Sequence, residues 1–168
     1  MHESFGPEGH PALTDEQTGL PNRLHFQTVF EVVFAAGLRG VPLSLLLVEI
    51  EGYHPWVVKE DASETDRILR ALGSTLRPLV RKTDILARLD EARFVVCLMD
   101  CNMAGAVLVA DRIDGLLDNI RGRTGLGFSI GGATFAVDMR RPEDLLGAAE
   151  AALRSAQSKG TDQMEFQR

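Results

Sequence analysis

At 168 residues and 18.4 kDa, the chain has room for one domain whose core needs no disulfide or structural metal. Apolar residues make up 45% and charged residues 25%, the balance of an ordinary globular protein. With 18 Lys and Arg against 24 Asp and Glu, the formal net charge is −6, which argues against a nucleic-acid surface built on phosphate neutralisation.

Residues 1–13, MHESFGPEGHPAL, carry Pro, Gly and His without period and read as a flexible linker or tail. A domain over 14–168 follows. Asn22 caps an expected helix to about Leu38, with Leu24, Phe26, Val29, Phe30, Val33 and Phe34 near a 3.6 period. Leu43–Ile50 is a nearly unbroken apolar run, the pattern of a strand buried on both faces. Over 51–60 the bulky Tyr53, Trp56, Val57 and Val58 have no clear period, and Pro55 disfavours helix before it. Ser63 and Asp66 resemble a capping box opening a helix through Ile68, Leu69, Leu72 and Leu76, which frays near Pro78.

Ile85–Leu89 and Phe94–Met99 form an expected hairpin around Asp90-Glu91-Ala92-Arg93. Asn102 caps a helix with Met103, Ala106, Val107, Ala110, Ile113 and Leu117 on one stripe, and Gly122 suits its end. Gly127–Phe135 reads as a strand. Pro142 opens a last helix that Gly160 ends, and 163–166 reads as a short edge strand. The order implies an α/β (α+β) sandwich of the ferredoxin-like kind, with helices against a mainly antiparallel sheet. No apolar run is long enough for a membrane span, and no signal-peptide pattern opens the chain. Cys97 and Cys101 lack the second pair a zinc site needs and read as reduced thiols of a cytoplasmic protein.

Several motifs then coincide. Asp15-Glu16-Gln17-Thr18-Gly19-Leu20-Pro21-Asn22-Arg23 resembles the signature D-x-L-T-G-L-x-N-R with one departure, Gln17. Ser129-Ile130-Gly131 and the final AEAALRSAQSKGTD, residues 149–162, follow in the matching order. Over about 15–166 the chain resembles a GGDEF domain, the family of diguanylate cyclases. The resemblance implies a nucleotidyl-cyclase-like palm. It also implies a reaction in which two GTP-loaded domains face each other and form cyclic di-GMP on carboxylate-held Mg²⁺.

Against that pattern, R-[YF]-G-G-D-E-F reads Arg88-Leu89-Asp90-Glu91-Ala92-Arg93-Phe94 here. Two acids, Asp90 and Glu91, replace glycines that let the backbone approach a nucleotide. Ala92 replaces a metal-binding acid, and Arg93 reverses the next charge. The D-x-D of the first strand is Glu49-Ile50-Glu51, the nucleotide-contacting Asn aligns with Val57, and the triphosphate-holding cations align with Gln157 and Thr161. Asp66 stands at the guanine-contacting acid, which the resemblance implies is a relic of nucleotide contact. These departures imply a degenerate domain with no catalytic residues, no bound metal and no resident cofactor. Glu49, Glu51, Asp90 and Glu91 are an alternative acidic cluster, but the favoured expectation is that Arg93 pairs with one of them.

The family's inhibitory R-x-x-D is intact as Arg81-Lys82-Thr83-Asp84, with Arg112 at the place of the assisting Arg on the following helix. The resemblance implies cyclic di-GMP as ligand, with Arg81 and Asp84 reading guanine and Arg112 assisting. An ion pair on a solvated surface is the plainer reading. His54, Trp56 and the Arg121, Arg123, Arg140 and Arg141 group read as surface, packing and solvated rim. The expected function is a catalytically inactive cyclic di-GMP receptor acting on an attached sensor or receiver domain, on a protein partner or within a homodimer. The alternatives are a nucleotide-independent interaction or dimerisation module and, more weakly, a GTP-binding regulator using Asp66 and Glu49.

Overall fold

The structure, a computed structural model, describes residues 10–167. Of the tail expected over 1–13, residues 1–9 therefore lie outside the described residues. Pro11–Leu13, placed at the end of that tail by sequence, form a single 3₁₀ turn. It is tied to the domain where Asn22 N–H donates to the Leu13 carbonyl and Asn22 Nδ2 to the Ala12 carbonyl.

Five strands and five helices follow: α1 (Arg23–Leu38), β1 (Leu43–Glu51), α2 (Tyr53–Lys59), α3 (Ala62–Leu76), β2 (Ile85–Asp90), β3 (Arg93–Met99), α4 (Met103–Thr124), β4 (Gly127–Thr134), α5 (Pro142–Ser158) and β5 (Met164–Gln167). The sheet order is β2-β3-β1-β4-β5. All pairings are antiparallel except β4 with β5, as expected of a mainly antiparallel α/β sandwich. β1 lies at the centre, with six consecutive buried residues from Leu43 to Val48, because side chains on both faces meet a helical layer.

One layer packs α3 and α4 on Leu46, Val48, Phe94, Val96, Phe128 and Ile130. The other packs α1 and α5 on Leu45, Leu47, Val95, Cys97 and Ala133, with Phe26 stacked on Phe30 and Phe30 edge-on to Phe34 along α1. Asn22 and Asn102 cap α1 and α4 as expected, accepting from His25 N–H at 3.1 Å and Gly105 N–H at 3.0 Å.

Three local expectations need correction. Residues 53–59 are helical despite Pro55, which sits in the first turn, where its missing N–H has no partner to lose. The α3 cap is Asp61, accepting from Glu64 N–H at 2.7 Å, so Ser63 lies inside the helix. α4 runs past Gly122 to the left-handed Gly125, whose φ of 74° suits a residue without Cβ.

Candidate functional site

Three polar constellations lie along one end of the sheet and its β2 edge. The first is centred on the β2–β3 hairpin. Arg88 is 7% exposed and sits where the N-terminal signature meets the edge of β2, its N–H donating to the Pro21 carbonyl. Its Nη1 reaches both Asp15 oxygens at 3.1–3.2 Å and Gln17 Oε1 at 2.8 Å, its Nη2 reaches Tyr53 at 3.3 Å, and its Nε reaches the Glu91 carbonyl at 3.1 Å. Asp15 also accepts from the Thr18 hydroxyl at 2.6 Å. Gln17 turns its amide nitrogen to Asp66, 3.0 Å away. The one departure in the signature thus clasps the acid aligned with guanine recognition.

The second constellation surrounds Glu49. Arg93 stands opposite it on β3, donates through Nε at 3.1 Å and places Nη2 within ion-pair distance of the same oxygen, at 3.0 Å. Gln157 of α5 donates its amide both to Glu49 and, at 2.9 Å, to Glu51. Glu150 completes the group 3.7 Å from Arg93. Ser129, paired with Glu49 across β1 and β4, is fully buried, and its hydroxyl has no hydrogen-bond partner among the described residues. The four acids of the alternative cluster diverge. Glu49 and Glu51 share Gln157, Asp90 receives its own neighbour's Glu91 N–H and faces Arg23 at 4.0 Å, and Glu91 faces His54 at 3.7 Å. Arg93 therefore pairs with Glu49, and no group of three metal-ligating side chains forms among the described residues. Ala92 sits in the hairpin turn, its carbonyl accepting from Ile50 N–H at 2.8 Å. Val57 and Thr161 line neither constellation.

The third lies just before β2. The Asp84 side chain is 2% exposed and accepts from Arg81 N–H at 2.9 Å, Arg81 Nε at 3.3 Å and Met99 N–H at 3.1 Å. Arg81 Nη2 also donates to the Met99 carbonyl. The guanidinium is thereby fixed at one end while 58% of the side chain stays exposed. Its hydrogen bonds with Asp84, and then their charge attraction, raise its pKa above the ordinary value. Arg112 is exposed on α4 and makes no polar contact among the described residues. No hydrogen bond or ion pair joins it to Arg81 or Asp84, although α4 packs against the Arg77–Leu79 turn that precedes them.

Sequence reasoning singled out Arg81, Asp84, Glu49 and Arg93. It missed Arg88 as an anchor, Glu150, and Gln17 as the link between Arg88 and Asp66. Charge at a strand position was the available signal for Arg88, because a buried cation requires a partner.

Solved structures with the same architecture include the GGDEF domain of FimX from Pseudomonas aeruginosa, with a TM-score of 0.80 at 23% identity over 92% of this chain and 99% of that one. Another is the coiled coil and GGDEF domain of DgcB from Caulobacter crescentus in complex with c-di-GMP, with a TM-score of 0.81 at 18% identity over 92% of this chain and 85% of that one. Among curated proteins, the response regulator PleD of Caulobacter vibrioides is 31% identical over 157 residues, 89% of this chain and 35% of PleD. The diguanylate cyclase DosC of Escherichia coli is 26% identical over 94% of this chain and 35% of its own length. The chain thus spans about a third of the length of these relatives. The family model for the diguanylate cyclase GGDEF domain matches residues 12–163, which takes in every helix and the first four strands, and the chain belongs to that family.

Proposed function

We propose that this domain is a cyclic di-GMP receptor rather than a cyclase, and that Arg81 is its principal ligand contact. The observation that carries the reading is the Arg81 guanidinium, anchored by Asp84 and the Met99 carbonyl yet largely open to solvent. A cation held in this way loses little freedom when it meets a phosphate or the O6/N7 edge of guanine. Asp84 then acts mainly as a positioning residue, since its carboxylate is buried and already accepts several donors. Lys82 and Arg112 supply further exposed positive charge.

The cyclase chemistry has lost its groups. Glu49 is occupied by Arg93 and Gln157, and neither can coordinate Mg²⁺ as a carboxylate does. Ala92 offers no ligand, and Asp90 and Glu91 place negative charge where phosphates would lie. Binding at Arg81 would act on an attached or partner module by favouring one of its conformations. That DgcB is seen in complex with c-di-GMP supports this choice of ligand.

Isothermal titration of cyclic di-GMP into the wild type and Arg81→Ala tests the reading, with GTP plus Mg²⁺ as comparison. Removing one charge-assisted contact is expected to weaken binding roughly 10- to 100-fold. GTP with Mg²⁺ is expected to yield no cyclic di-GMP. One observation favours the second reading, a nucleotide-independent interaction module: the Asp84 carboxylate has no exposed face left for a guanine edge. A flat wild-type titration would support that alternative and make the Arg81–Asp84 pair a structural relic.

A further inference from the structure

We propose that the outer edge of β2 is a docking groove for an extended acidic peptide, which pairs with the strand through one rung at Leu86. Among the described residues, the sheet order leaves β2 without a neighbouring strand on that side. α1 forms one wall of the groove with His25, Val29 and Val33. The opposite wall is the segment carrying Val80, Arg81 and Lys82, and the space between them is about 410 Å³.

The backbone shows how such a strand would pair. Arg88 N–H points outward and donates to the Pro21 carbonyl at 2.9 Å, so the chain itself makes one rung before Asn22 turns into α1. Alternate residues of a strand direct their N–H and C=O to the same side. Leu86 lies two residues before Arg88, so both its backbone groups face the groove. Neither has a hydrogen-bond partner among the described residues, although Leu86 is only 5% exposed. The next outward N–H, that of Asp84, is satisfied by the Arg81 carbonyl at 3.0 Å. The opening is therefore one rung wide at Leu86, between two positions the chain already closes. An unpaired backbone donor and acceptor in a walled groove calls for an occupant that supplies both. An extended peptide supplies both through the N–H and C=O of a single residue.

Charge identifies the kind of peptide. Arg81 and Lys82 stand at the rim, and among the described residues the only acid lining the groove is Asp84, whose side chain is buried and held by Arg81. Val29, Val33 and Val80 offer apolar contact between the walls. An extended segment alternating carboxylates with aliphatic side chains matches both features. A second copy joined through the same edge would set like charges against each other. The inference does not depend on the nucleotide reading, although both use Arg81.

The test is titration of the ¹⁵N-labelled full chain with acetyl-Glu-Val-Glu-Val-Asp-amide, followed at the Leu86 amide. A saturable shift there is expected, with exchange of that amide slowed about tenfold or more. The same peptide N-methylated at its central residue should lose the effect, and Lys82→Glu should weaken binding roughly fivefold. An unmoved Leu86 amide, or equal binding of the N-methylated peptide, would overturn the proposal. So would concentration-dependent dimerisation that protects Leu86 without peptide. Failure of cyclic di-GMP to bind leaves it standing.

Discussion

The Arg88 guanidinium directs its donors to Asp15, Gln17, Tyr53 and the Glu91 carbonyl, and so joins the N-terminal signature, α2 and the hairpin through one buried cation. Its side chain is 6% exposed and that of Asp15 21%. Breaking a pair this enclosed leaves a carboxylate short of its counter-charge. Arg88→Met is expected to cost about 3 kcal/mol, lowering the melting temperature by roughly 6–12 °C. Arg67, which pairs with Glu64 in solvent with 62% of its side chain exposed, supplies the contrast. Arg67→Ala should change stability by less than about 1 kcal/mol. Urea melts of the two variants give the comparison, and equal losses would refute the assignment of Arg88 as the anchor. The Arg93–Glu49 pair lies between these extremes, at 28% and 22% exposure.

At the level of elements, close approach and capping decide what the sequence can vary. A Cβ on Gly131 would fall 2.2 Å from the Leu153 nitrogen and 2.5 Å from its Cα, because α5 lies directly on β4 there. Backbone cannot yield as a flexible side chain can, so Gly131→Ala is expected to destabilise by roughly 3 kcal/mol in a denaturant melt. At the start of α5 the Asp144 carboxylate accepts from Arg140 N–H at 2.8 Å and Arg141 N–H at 3.0 Å. These bonds, Arg140 first, lower its pKa. A lowered folded-state value means that its stabilisation is complete above the ordinary carboxylate range and is lost as pH falls through the folded value. Asp144→Ala should therefore melt below the wild type at neutral pH, and the gap should close in strong acid. A gap independent of pH would point to packing instead of the cap. Elements with a cap and a period, such as α1 and α4, were legible in the sequence because both signals are local. α2 was not, since seven residues show too little period and Pro55 argued against it. The Arg81–Asp84 pair was legible from its three-residue spacing. The links from Gln17 to Arg88 and to Asp66 were not, because partners 71 and 49 residues apart meet only through the tertiary fold.

For the whole molecule, the central sheet supplies a probe of global stability in its two thiols. Cys97 lies on β3 with no exposed surface, and burial, with a further push from the Asp84 charge, raises its thiol pKa far above the ordinary range. Cys101, at the end of that strand, is half-buried. Burial raises its thiol pKa as well, while the Arg81 charge pulls the other way. Both walls of the sheet must separate before a reagent meets Cys97, so its modification follows opening of the whole domain. Cys101 needs only local access. Reaction with an aromatic disulfide at neutral pH should thus be biphasic, one thiol reacting from the native state and the other roughly a thousandfold or more slower. Arg88→Met should speed the slow phase in proportion to the stability it removes, while leaving the fast phase nearly unchanged. A slow phase indifferent to that substitution would mean that Cys97 is reached by a local opening of β2 and β3, and that the sheet does not open as one unit.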